Sequence, residues 1–366
     1  MLTKQNHKSI KIATPYGLQR IVFDDLSIVT NHIANHDIVL IVIDERIHKL
    51  DELKAFISSI ESNRQIHVLP IAINNYTKNT ELLFSVFDEM NRLGMTRKSL
   101  LISIGGGATS DLVGVAAAFY MRGIEYVVIP TSFISMADTV ISKVAVNHGE
   151  TKNMIGAFRS PALTYIDLAF TKTIDETNLA YGLVEILKQA LLEHDMKRVK
   201  QILGLLSSDT IDIAGLKELV SWSLKKKSKY VAPDWYDVKG KHKALSLGHT
   251  LANYLEMKGE YHHAVAVLYG MVLEYLIAQQ RGIVAPAECK VFFAAAQLFE
   301  ERFKQHEQVM IHLQPSVLIP ALRKDKISHH GTIRFVLPTK RGYCVSVVSE
   351  DELADAVEAF GKLKFS

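Results

Sequence analysis

The first half of the chain alternates apolar runs with segments of helical spacing. Runs rich in β-branched residues at 38–43, 66–73, 100–104 and 126–129 predict strands, and the segments between them have the spacing of helices. Strands that alternate with helices are typical of parallel βαβ units in a doubly wound sheet. Such a sheet binds ligands beyond the carboxyl ends of its strands. Residues 1–172 are therefore predicted to form an α/β domain.

After about residue 172 the hydrophobic pattern becomes that of helices. The helices predicted there cover 179–192, 210–228, 251–258, 264–281 and 287–305. Strand signals return at 332–337, which we expect to pair as a hairpin with 343–348. We predict a mainly helical second domain over residues 173–366.

A glycine triplet follows the predicted strand at 100–104. Gly105, Gly106 and Gly107 lead at once into a segment that reads as the first turns of a helix. A strand that turns through glycines into a helix presents backbone N–H groups and the positive end of the helix dipole to an anion. A plain tight turn explains the triplet equally well. Further along, the polar segment 152–156 is predicted to be a turn whose cationic and amide groups face the same anion.

Composition narrows the classes of protein that fit this pattern. Of 366 residues, 48% are hydrophobic and 22% charged, as in ordinary globular proteins, and the length favours two domains. A formal net charge of +3 gives no support for binding to nucleic acid or to a membrane surface. Two cysteines are too few for a disulfide framework, and the N-terminal residues lack the apolar core of a signal peptide. We expect a cytoplasmic protein without a transmembrane segment.

Three residues of the second half have side chains that suit a divalent metal: Glu185, His249 and His263. Two imidazoles and a carboxylate fit an ion that keeps a coordination position open for substrate. The chain has 15 histidines, so such a set also arises by chance, and spacing alone leaves both interpretations open. The basic run 225–229 is likewise either a solvated helix face or a cluster around an anionic substrate.

Several short motifs, taken in order, resemble those of the 3-dehydroquinate synthase family and its sugar-phosphate cyclase relatives. They are Gly105-Gly106-Gly107 with Asp111, Tyr120-Met121-Arg122-Gly123, Pro130-Thr131-Ser132, the segment 152–158, Glu185-Ile186-Leu187-Lys188 and Gly248-His249-Thr250. The resemblance extends over about residues 38–340, and the combination is highly specific. It implies an N-terminal Rossmann-like α/β domain that binds NAD and a mainly α-helical C-terminal domain that binds metal.

The resemblance also implies a role for individual residues. NAD would contact Asp44, Lys78, Gly105, Gly106, Gly107, Asp111, Thr131 and Ser132. The metal, usually zinc or cobalt in the family, would bind Glu185, His249 and His263, with His262 as a competing ligand for the third position. The substrate and its phosphate would contact Arg122, Asp138, Lys152, Asn153, Lys188, Lys227 and Lys326.

The activity implied is the conversion of a sugar phosphate to a carbocycle. The metal favours oxidation of a substrate hydroxyl by NAD, phosphate leaves, the hydride returns, and an intramolecular aldol step closes the ring. Lysines around the phosphate stabilise the charge that builds up on the leaving group. The family further implies a homodimer and a product used in cyclitol or aromatic amino acid biosynthesis.

Departures from the family pattern concern the substrate. His242 and Ser246 stand where dehydroquinate-forming enzymes usually have an arginine and, four residues later, an asparagine. Asn253 replaces a second histidine, Asn75 replaces a glutamate, and 139–143 lacks paired glycines. A guanidinium binds a carboxylate through two parallel hydrogen bonds, which an imidazole cannot reproduce. We therefore favour a substrate without a carboxylate, such as a hexose 6-phosphate or sedoheptulose 7-phosphate.

Other interpretations stay open at this point. Lys241 or Lys243 could replace the missing arginine in an authentic 3-dehydroquinate synthase of the shikimate pathway. Related metal-dependent polyol dehydrogenases share the architecture and the glycine turn, but they would accumulate NADH. A non-catalytic relative would bind nucleotide or regulate a partner. The presence of the metal-binding set and of Lys188 argues against that last interpretation.

Overall fold

The structure is a computed structural model, and it describes residues 9–60, 65–139, 141–149, 151–173, 175–208, 212–257, 261–304, 313–323 and 332–363. The chain forms two compact units. Unit 1 contains Met1–Ile174 and Val231–Val238, and unit 2 contains Asp175–Tyr230 and Lys239–Ser366. The predicted order of an α/β part followed by a mainly helical part is confirmed.

Residues 231–238 differ from the predicted division, because they belong to unit 1. Their side chains explain this placement. The ring of Tyr236 packs edge-on against Phe158 with 5.4 Å between centroids. Nearby, Lys143 Nζ lies 2.9 Å from a carboxylate oxygen of Asp237.

Unit 1 contains most of the strands. They are β1 (Ile10–Thr14), β2 (Gly17–Phe23), β3 (Ile38–Asp44), β4 (Gln65–Ile71), β5 (Leu100–Gly105), β6 (Glu125–Pro130), β7 (Lys143–His148), β8 (Thr151–Phe158) and β9 (Leu163–Ile166). Its α-helices are α1 (Leu26–Ile33), α2 (Glu45–His48), α3 (Asp51–Ile60), α4 (Thr80–Arg92), α5 (Gly107–Phe119) and α6 (Phe133–Ala137). Short 3₁₀ helices cover Tyr120–Arg122, Leu168–Thr173 and Ala232–Asp234.

The main sheet of unit 1 has the strand order β1-β2-β9-β6-β5-β3-β4 within the described residues. All neighbouring strands are parallel except β1 and β2, which form an antiparallel hairpin at the edge. The chain runs from β3 to β4 on one side and then crosses to β5 on the other. The carboxyl ends of β3 and β5 therefore flank the point where the winding reverses, and doubly wound sheets bind their ligands at such a point.

Both faces of this sheet are covered, which explains the continuous apolar runs in the sequence. On one face, β3 and β5 pack with α4 and α5 through side chains such as Leu40 and Leu101. On the other face, they pack with α1 and α3 through side chains such as Ile41 and Ile102. Alternate residues of each strand point to opposite faces, so a strand buried on both sides needs apolar residues at every position.

One prediction in unit 1 is wrong. The segment 152–156, expected as a polar turn, lies within strand β8, which pairs antiparallel with β7. The alternation of buried and exposed positions that marks a half-buried strand is weak in β8, because most of its side chains are exposed or half-buried. The turn that joins the two strands lies earlier, between His148 and Thr151.

Unit 2 is mainly helical. It contains α7 (Glu176–Leu192), α8 (Met196–Leu206), α9 (Ile213–Val231), α10 (His249–Met257), α11 (His263–Gln280), α12 (Pro286–Lys304), α13 (Pro315–Leu322) and α14 (Glu350–Lys362), with a 3₁₀ helix at Lys241–Ser246. The predicted C-terminal hairpin is confirmed as β10 (Arg334–Thr339) and β11 (Gly342–Val347). Helices α8, α13 and α14 were not predicted. Among the described residues, no helix combines the length and the apolar character needed to cross a membrane.

Candidate functional site

The glycine triplet of unit 1 connects the end of β5 to the start of α5. Gly105 ends the strand, Gly106 is the N-cap residue, and Gly107 is the first residue of the helix. No side chain among the described residues caps this helix, so its first N–H groups remain available to an anion. A Cβ on Gly107 would meet no atom within 4 Å, and a ligand therefore has room beside its backbone.

Thr131 and Ser132 lie next to this turn. The backbone N–H of Thr131 donates to the carbonyl of Gly105 at 3.0 Å. A Cβ built on Gly106 would lie 3.6 Å from Ser132 Oγ. The hydroxyl of Ser132 is thus close to the helix N-terminus, and Ser132 itself caps the short helix α6. The structure brings these two predicted cofactor residues together with the triplet.

Asp44 lies at the carboxyl end of β3, adjacent to the end of β5 in the sheet. It is buried, and its carboxylate accepts hydrogen bonds from the guanidinium of Arg46, including one from Nε at 3.0 Å. Arg46 also donates to the carbonyl of Ile73 at 3.1 Å, which fixes its orientation. Arg46 was not identified from the sequence. Its position two residues after a strand-end carboxylate is the signal that could have found it.

Lys78, Asp111 and Asn153 meet in a polar cluster of unit 1. The buried Nζ of Lys78 lies 2.5 Å from Asp111 Oδ2 and donates to Asn153 Oδ1 at 2.8 Å. Asn153 has a positive φ of 55°, and its N–H donates to the Asn147 side chain at 3.0 Å. From the family resemblance, Lys78 and Asp111 are expected to contact NAD and Asn153 is expected to contact the substrate. Their contact makes one network out of those two groups.

Other predicted residues of unit 1 lie at more open positions. Lys152 Nζ sits 5.0 Å from the centroid of the Tyr76 ring. Arg122 is exposed, and both it and Met121 have positive φ, at 68° and 48°. Asp138 is an exposed residue that ends α6. The roles of these three residues stay predictions.

Glu185, His249 and His263 come together in unit 2 from α7, α10 and α11. One potential ligand atom from each residue lies within 4.8 Å of the others. His263 Nε2 is 3.6 Å from Glu185 Oε1, and the two imidazole rings have centroids 5.5 Å apart. Their spacing along the chain did not determine this set, because it is assembled by the packing of three separate helices.

The hydrogen bonds of the two rings leave Nε2 facing the cluster. His249 Nδ1 lies 3.1 Å from the carbonyl of Leu247, which can only accept, so Nδ1 carries the hydrogen. His263 Nδ1 lies 2.6 Å from Glu256 Oε1. Metal-binding histidines are commonly oriented in this way, by a carbonyl or carboxylate on the nitrogen that does not bind the ion.

The electrostatics of the cluster centre on a buried carboxylate. Burial alone would raise the pKa of Glu185, but the ammonium of Lys188 and the imidazoles of His263 and His249 together outweigh burial and hold that pKa well below its usual value. Burial lowers the pKa of His249 to about 3. Burial opposes protonation of His263 too, yet the nearby carboxylates of Glu185 and Glu256 raise its pKa to about 10. The carboxylates therefore attract positive charge to this point.

One carboxylate oxygen of Glu185 indicates whether these three residues suit a divalent cation. Lys188 pairs with Glu185 Oε2, whereas Oε1 is buried and has no hydrogen-bond partner among the described residues. A buried carboxylate oxygen without a partner is costly. An ion held by this oxygen and by two imidazole nitrogens would satisfy it, and the donor set is one that zinc and cobalt accept. The residues present fit a metal.

A close contact between glycines supports His249. Gly248 has a φ of 84°, and a Cβ on Gly270 of α11 would overlap the Gly248 carbonyl. The N–H of Gly248 donates to the buried carboxyl of Glu274. Only glycine allows this approach of the two backbones. Glu256 and Glu274 were not identified from the sequence, although Glu256 lies seven residues after His249, on the same face of α10.

The remaining residues singled out from the sequence lie in different surroundings. Lys188 is buried in the metal cluster. Lys227 is half-buried on α9, and His242 is buried in the 3₁₀ helix. His262 does not join the cluster, because it stacks on Tyr181 with 3.7 Å between ring centroids. Ser246 and Asn253 are half-buried, Lys241 and Lys243 are exposed, Asn75 of unit 1 is also exposed, and Lys326 lies outside the described residues.

Comparison with known proteins places the chain in a family. The profile of the 3-dehydroquinate synthase N-terminal domain matches residues 68–181, and that of the C-terminal domain matches residues 182–328. A 3-dehydroquinate synthase of Endomicrobium trichonymphae is 30% identical over 327 residues, covering 87% of this chain and 88% of that protein. A bifunctional 3-dehydroquinate synthase/phosphatase of Fusobacterium nucleatum is 31% identical over 93% of this chain, which spans only 52% of that longer protein.

Solved structures share the fold. The 2-epi-5-epi-valiolone synthase of Streptomyces hygroscopicus, solved with NAD⁺ and Zn²⁺, has a TM-score of 0.78 and 24% identity over 93% of this chain and 96% of its own. A 2-deoxy-scyllo-inosose synthase, solved with carbaglucose-6-phosphate, NAD⁺ and Co²⁺, has a TM-score of 0.81 and 17% identity over 96% and 100%. The resemblance seen in the motifs is confirmed: this chain belongs to the 3-dehydroquinate synthase family.

Proposed function

We propose that this protein is an NAD- and divalent-metal-dependent sugar-phosphate cyclase that eliminates phosphate and closes a carbocycle. The observation that carries the proposal is the cluster of Glu185, His249 and His263, in which a buried carboxylate oxygen without a hydrogen-bond partner faces two oriented imidazoles. Relatives that are 30–31% identical bear the name 3-dehydroquinate synthase, and two proteins of the same fold bear the names of cyclases.

Three side chains would hold the metal: Glu185 through Oε1, and His249 and His263 through Nε2. When bound, the ion would supply a Lewis acid for a substrate hydroxyl, and NAD would supply a hydride acceptor. Glu256 and the Leu247 carbonyl keep each imidazole turned toward the site. Lys188 compensates part of the charge of Glu185, so the cluster is not strongly anionic before it binds an ion.

The residues of unit 1 that would hold NAD lie at the ends of β3 and β5. The first N–H groups of α5 and the Ser132 hydroxyl suit the pyrophosphate. Asp44, at the adjacent strand end, suits a ribose hydroxyl, because a carboxylate accepts hydrogen bonds. The Arg46 guanidinium fixes the rotamer of that carboxylate while leaving acceptor capacity on its oxygens.

The phosphate of the substrate would meet cationic side chains. Lys152, Lys227 and Arg122 are half-buried or exposed, so their ammonium and guanidinium groups can reach a ligand. Fixed positive charge stabilises the negative charge that develops on phosphate as its C–O bond breaks. We also assign Lys188, Asn153, Asp138 and Lys326 to substrate contacts, on the resemblance of their motifs. A homodimer remains part of the proposal, and light scattering tests it.

We further propose that the substrate lacks a carboxylate. His242 replaces the arginine that would bind it, and the structure places His242 in the interior of unit 2 rather than on its surface. A buried imidazole cannot offer the paired N–H groups of a guanidinium. A substrate carboxylate left without such a partner costs about 2–5 kcal/mol, or roughly 30- to 5,000-fold in binding.

The test is a phosphate-release screen with trace NAD and Zn²⁺ or Co²⁺. We expect turnover of a hexose 6-phosphate or of sedoheptulose 7-phosphate, a cyclic product by mass and NMR analysis, and no accumulation of NADH. Turnover of the carboxylated heptulosonate phosphate at a higher kcat/KM would overturn the substrate assignment and establish a 3-dehydroquinate synthase. That second candidate is favoured by the names of the relatives that are 30–31% identical. Accumulating NADH would establish a dehydrogenase.

Adjacent histidines offer a matched pair of variants for the metal assignment. His263→Gln removes a ligand, so we expect loss of the bound ion and of phosphate release. His262→Gln changes the neighbouring residue, which stacks on Tyr181 outside the cluster, and it should retain both. Equal metal content in the two variants contradicts the ligand assignment.

A further inference from the structure

Unit 1 contains a second group of two histidines and a glutamate. His32 lies in the last turn of α1, His36 follows the end of that helix, and Glu125 is the first residue of β6. One potential ligand atom from each residue lies within 4.8 Å of the others. We propose that these residues form a second divalent transition-metal site, which ties the end of α1 to the start of β6.

The dimensions of this group match those of the cluster in unit 2. His36 Nε2 lies 3.7 Å from Glu125 Oε1, and the two ring centroids are 5.5 Å apart. The corresponding values in unit 2 are 3.6 Å and 5.5 Å. Tetrahedral zinc with bonds of about 2.1 Å needs ligand atoms about 3.4 Å apart, which small rotations of these side chains reach.

The hydrogen bonding of His36 leaves a lone pair facing the carboxylate. His36 Nδ1 lies 3.1 Å from the carbonyl of His32, and a carbonyl can only accept, so Nδ1 carries the hydrogen. In the neutral ring, Nε2 then has no hydrogen to donate to Glu125, although it faces that residue. A cation placed between the nitrogen and the carboxylate oxygen satisfies both. This orientation of the ring is also the one typical of a metal ligand.

His32 also has a ring nitrogen that faces the Glu125 carboxylate. Its Nε2 lies 2.5 Å from Glu125 Oε1, yet this buried atom has no hydrogen-bond partner of good geometry among the described residues. Protonating both rings would place two positive charges close together. One divalent ion serves both nitrogens and the carboxylate, and the side chain of Glu125 is 42% exposed, which provides a path for entry.

The location separates this site from the proposed catalytic groups. Glu125 is the first residue of β6, whereas the glycine triplet begins at the carboxyl end of β5. Because β5 and β6 are parallel neighbours, these two points lie at opposite ends of the strands. A bound ion with three protein ligands would complete its coordination with water or a small anion, which can approach past the partly exposed side chain of Glu125.

The test is the number of Zn²⁺ ions bound per chain, measured on the full-length protein by equilibrium dialysis and elemental analysis. We expect two ions in the wild type and one in the Glu185→Gln/His263→Gln variant. Adding His36→Gln to that variant should remove the remaining ion, and Glu125→Gln should do the same. His148→Gln, at an exposed position of unit 1, is the control and should leave the count unchanged.

A thermal melt with Zn²⁺ provides a second readout, which does not depend on activity. In the Glu185→Gln/His263→Gln background, Zn²⁺ should raise the melting temperature, and His36→Gln should abolish that rise. A single ion in the wild type that His36→Gln does not remove, or an unchanged count after the changes at His36 and Glu125, overturns the proposal. Failure of the metal site in unit 2 gives a different result, because the single ion of the wild type would then be lost with His36→Gln and retained in Glu185→Gln/His263→Gln.

Discussion

The buried pair of Glu185 and Lys188 allows a quantitative test of the electrostatics at the proposed metal-binding residues. Both residues lie on α7, three positions apart, and each is 3% exposed. The perturbation is Glu185→Gln in protein treated with a chelator. It removes the carboxylate but keeps the shape of the side chain, so the Lys188 ammonium loses its buried counter-charge. The second perturbation, Lys188→Met, removes the other member of the pair.

The expected size follows from burial. Removing one partner of a buried ion pair costs about 3–5 kcal/mol, because an uncompensated charge remains in the interior. Removing both, with side chains of similar volume, is close to neutral or stabilising. With a urea m-value of about 2–3 kcal/mol per molar, each single change lowers the unfolding midpoint by roughly 1–2 M. The double change should restore most of that loss.

The assay follows unit 2 by fluorescence. The chain has two tryptophans, and Trp235 belongs to unit 1. The Trp235→Phe background leaves Trp222 on α9 as the single reporter of unit 2. Glu358→Gln is the control, since its pair with Lys362 is exposed on α14 and the midpoint should not move. Additive losses in Glu185→Gln and Lys188→Met, or single changes no larger than the control, would refute the reasoning.

Two further predictions concern backbone contact and pH. Gly270→Ala places a methyl group against the Gly248 carbonyl, and we expect a loss of about 1–3 kcal/mol in urea unfolding together with weaker Zn²⁺ binding. Gly204→Ala, on a helix with no atom within 4 Å of the new Cβ, should instead stabilise by about 0.5–1 kcal/mol. Hydrogen bonds from Arg281 lower the pKa of Glu352 to about 2. Its contribution is therefore fully present above about pH 4.5 and lost as pH falls through about 2, so the urea midpoints of wild type and Glu352→Gln should differ most at pH 7, approach each other below pH 4.5 and meet only at about pH 2.

The sequence predicted the parts of the fold that follow from local pattern. Strands β3, β5 and β6 are buried on both faces, and such strands appear in the sequence as continuous apolar runs. The hairpin of β7 and β8 was missed because its second strand is mostly exposed, and its polar residues resemble a turn. Helix α14 was missed although Ser349 and Glu352 form a capping box at its start, which is a readable signal.

The candidate site could be predicted from the sequence only in part, for a different reason. The motifs predicted the three metal-binding residues, but the groups that orient their side chains are brought close by tertiary packing. Glu256 contacts His263 from another helix, and the Glu274 carboxyl holds the Gly248 N–H 26 residues away in the sequence. A contact of this kind leaves no periodic signal. The same is true of Lys78, whose partner Asn153 lies 75 residues along the chain.

The two buried lysines in pairs with carboxylates lead to one interpretation. Lys78 with Asp111 in unit 1 and Lys188 with Glu185 in unit 2 are pairs whose replacement by apolar residues would cost the fold little. Stability therefore does not account for them. Each pair also meets a further polar group: Asn153 Oδ1 accepts a hydrogen bond from Lys78, and the second carboxylate oxygen of Glu185 has no hydrogen-bond partner among the described residues. A charge that is balanced within the protein but still able to meet a ligand suits binding chemistry. A double replacement at either pair should then fold with wild-type stability and lose its ligand, NAD in unit 1 and metal in unit 2.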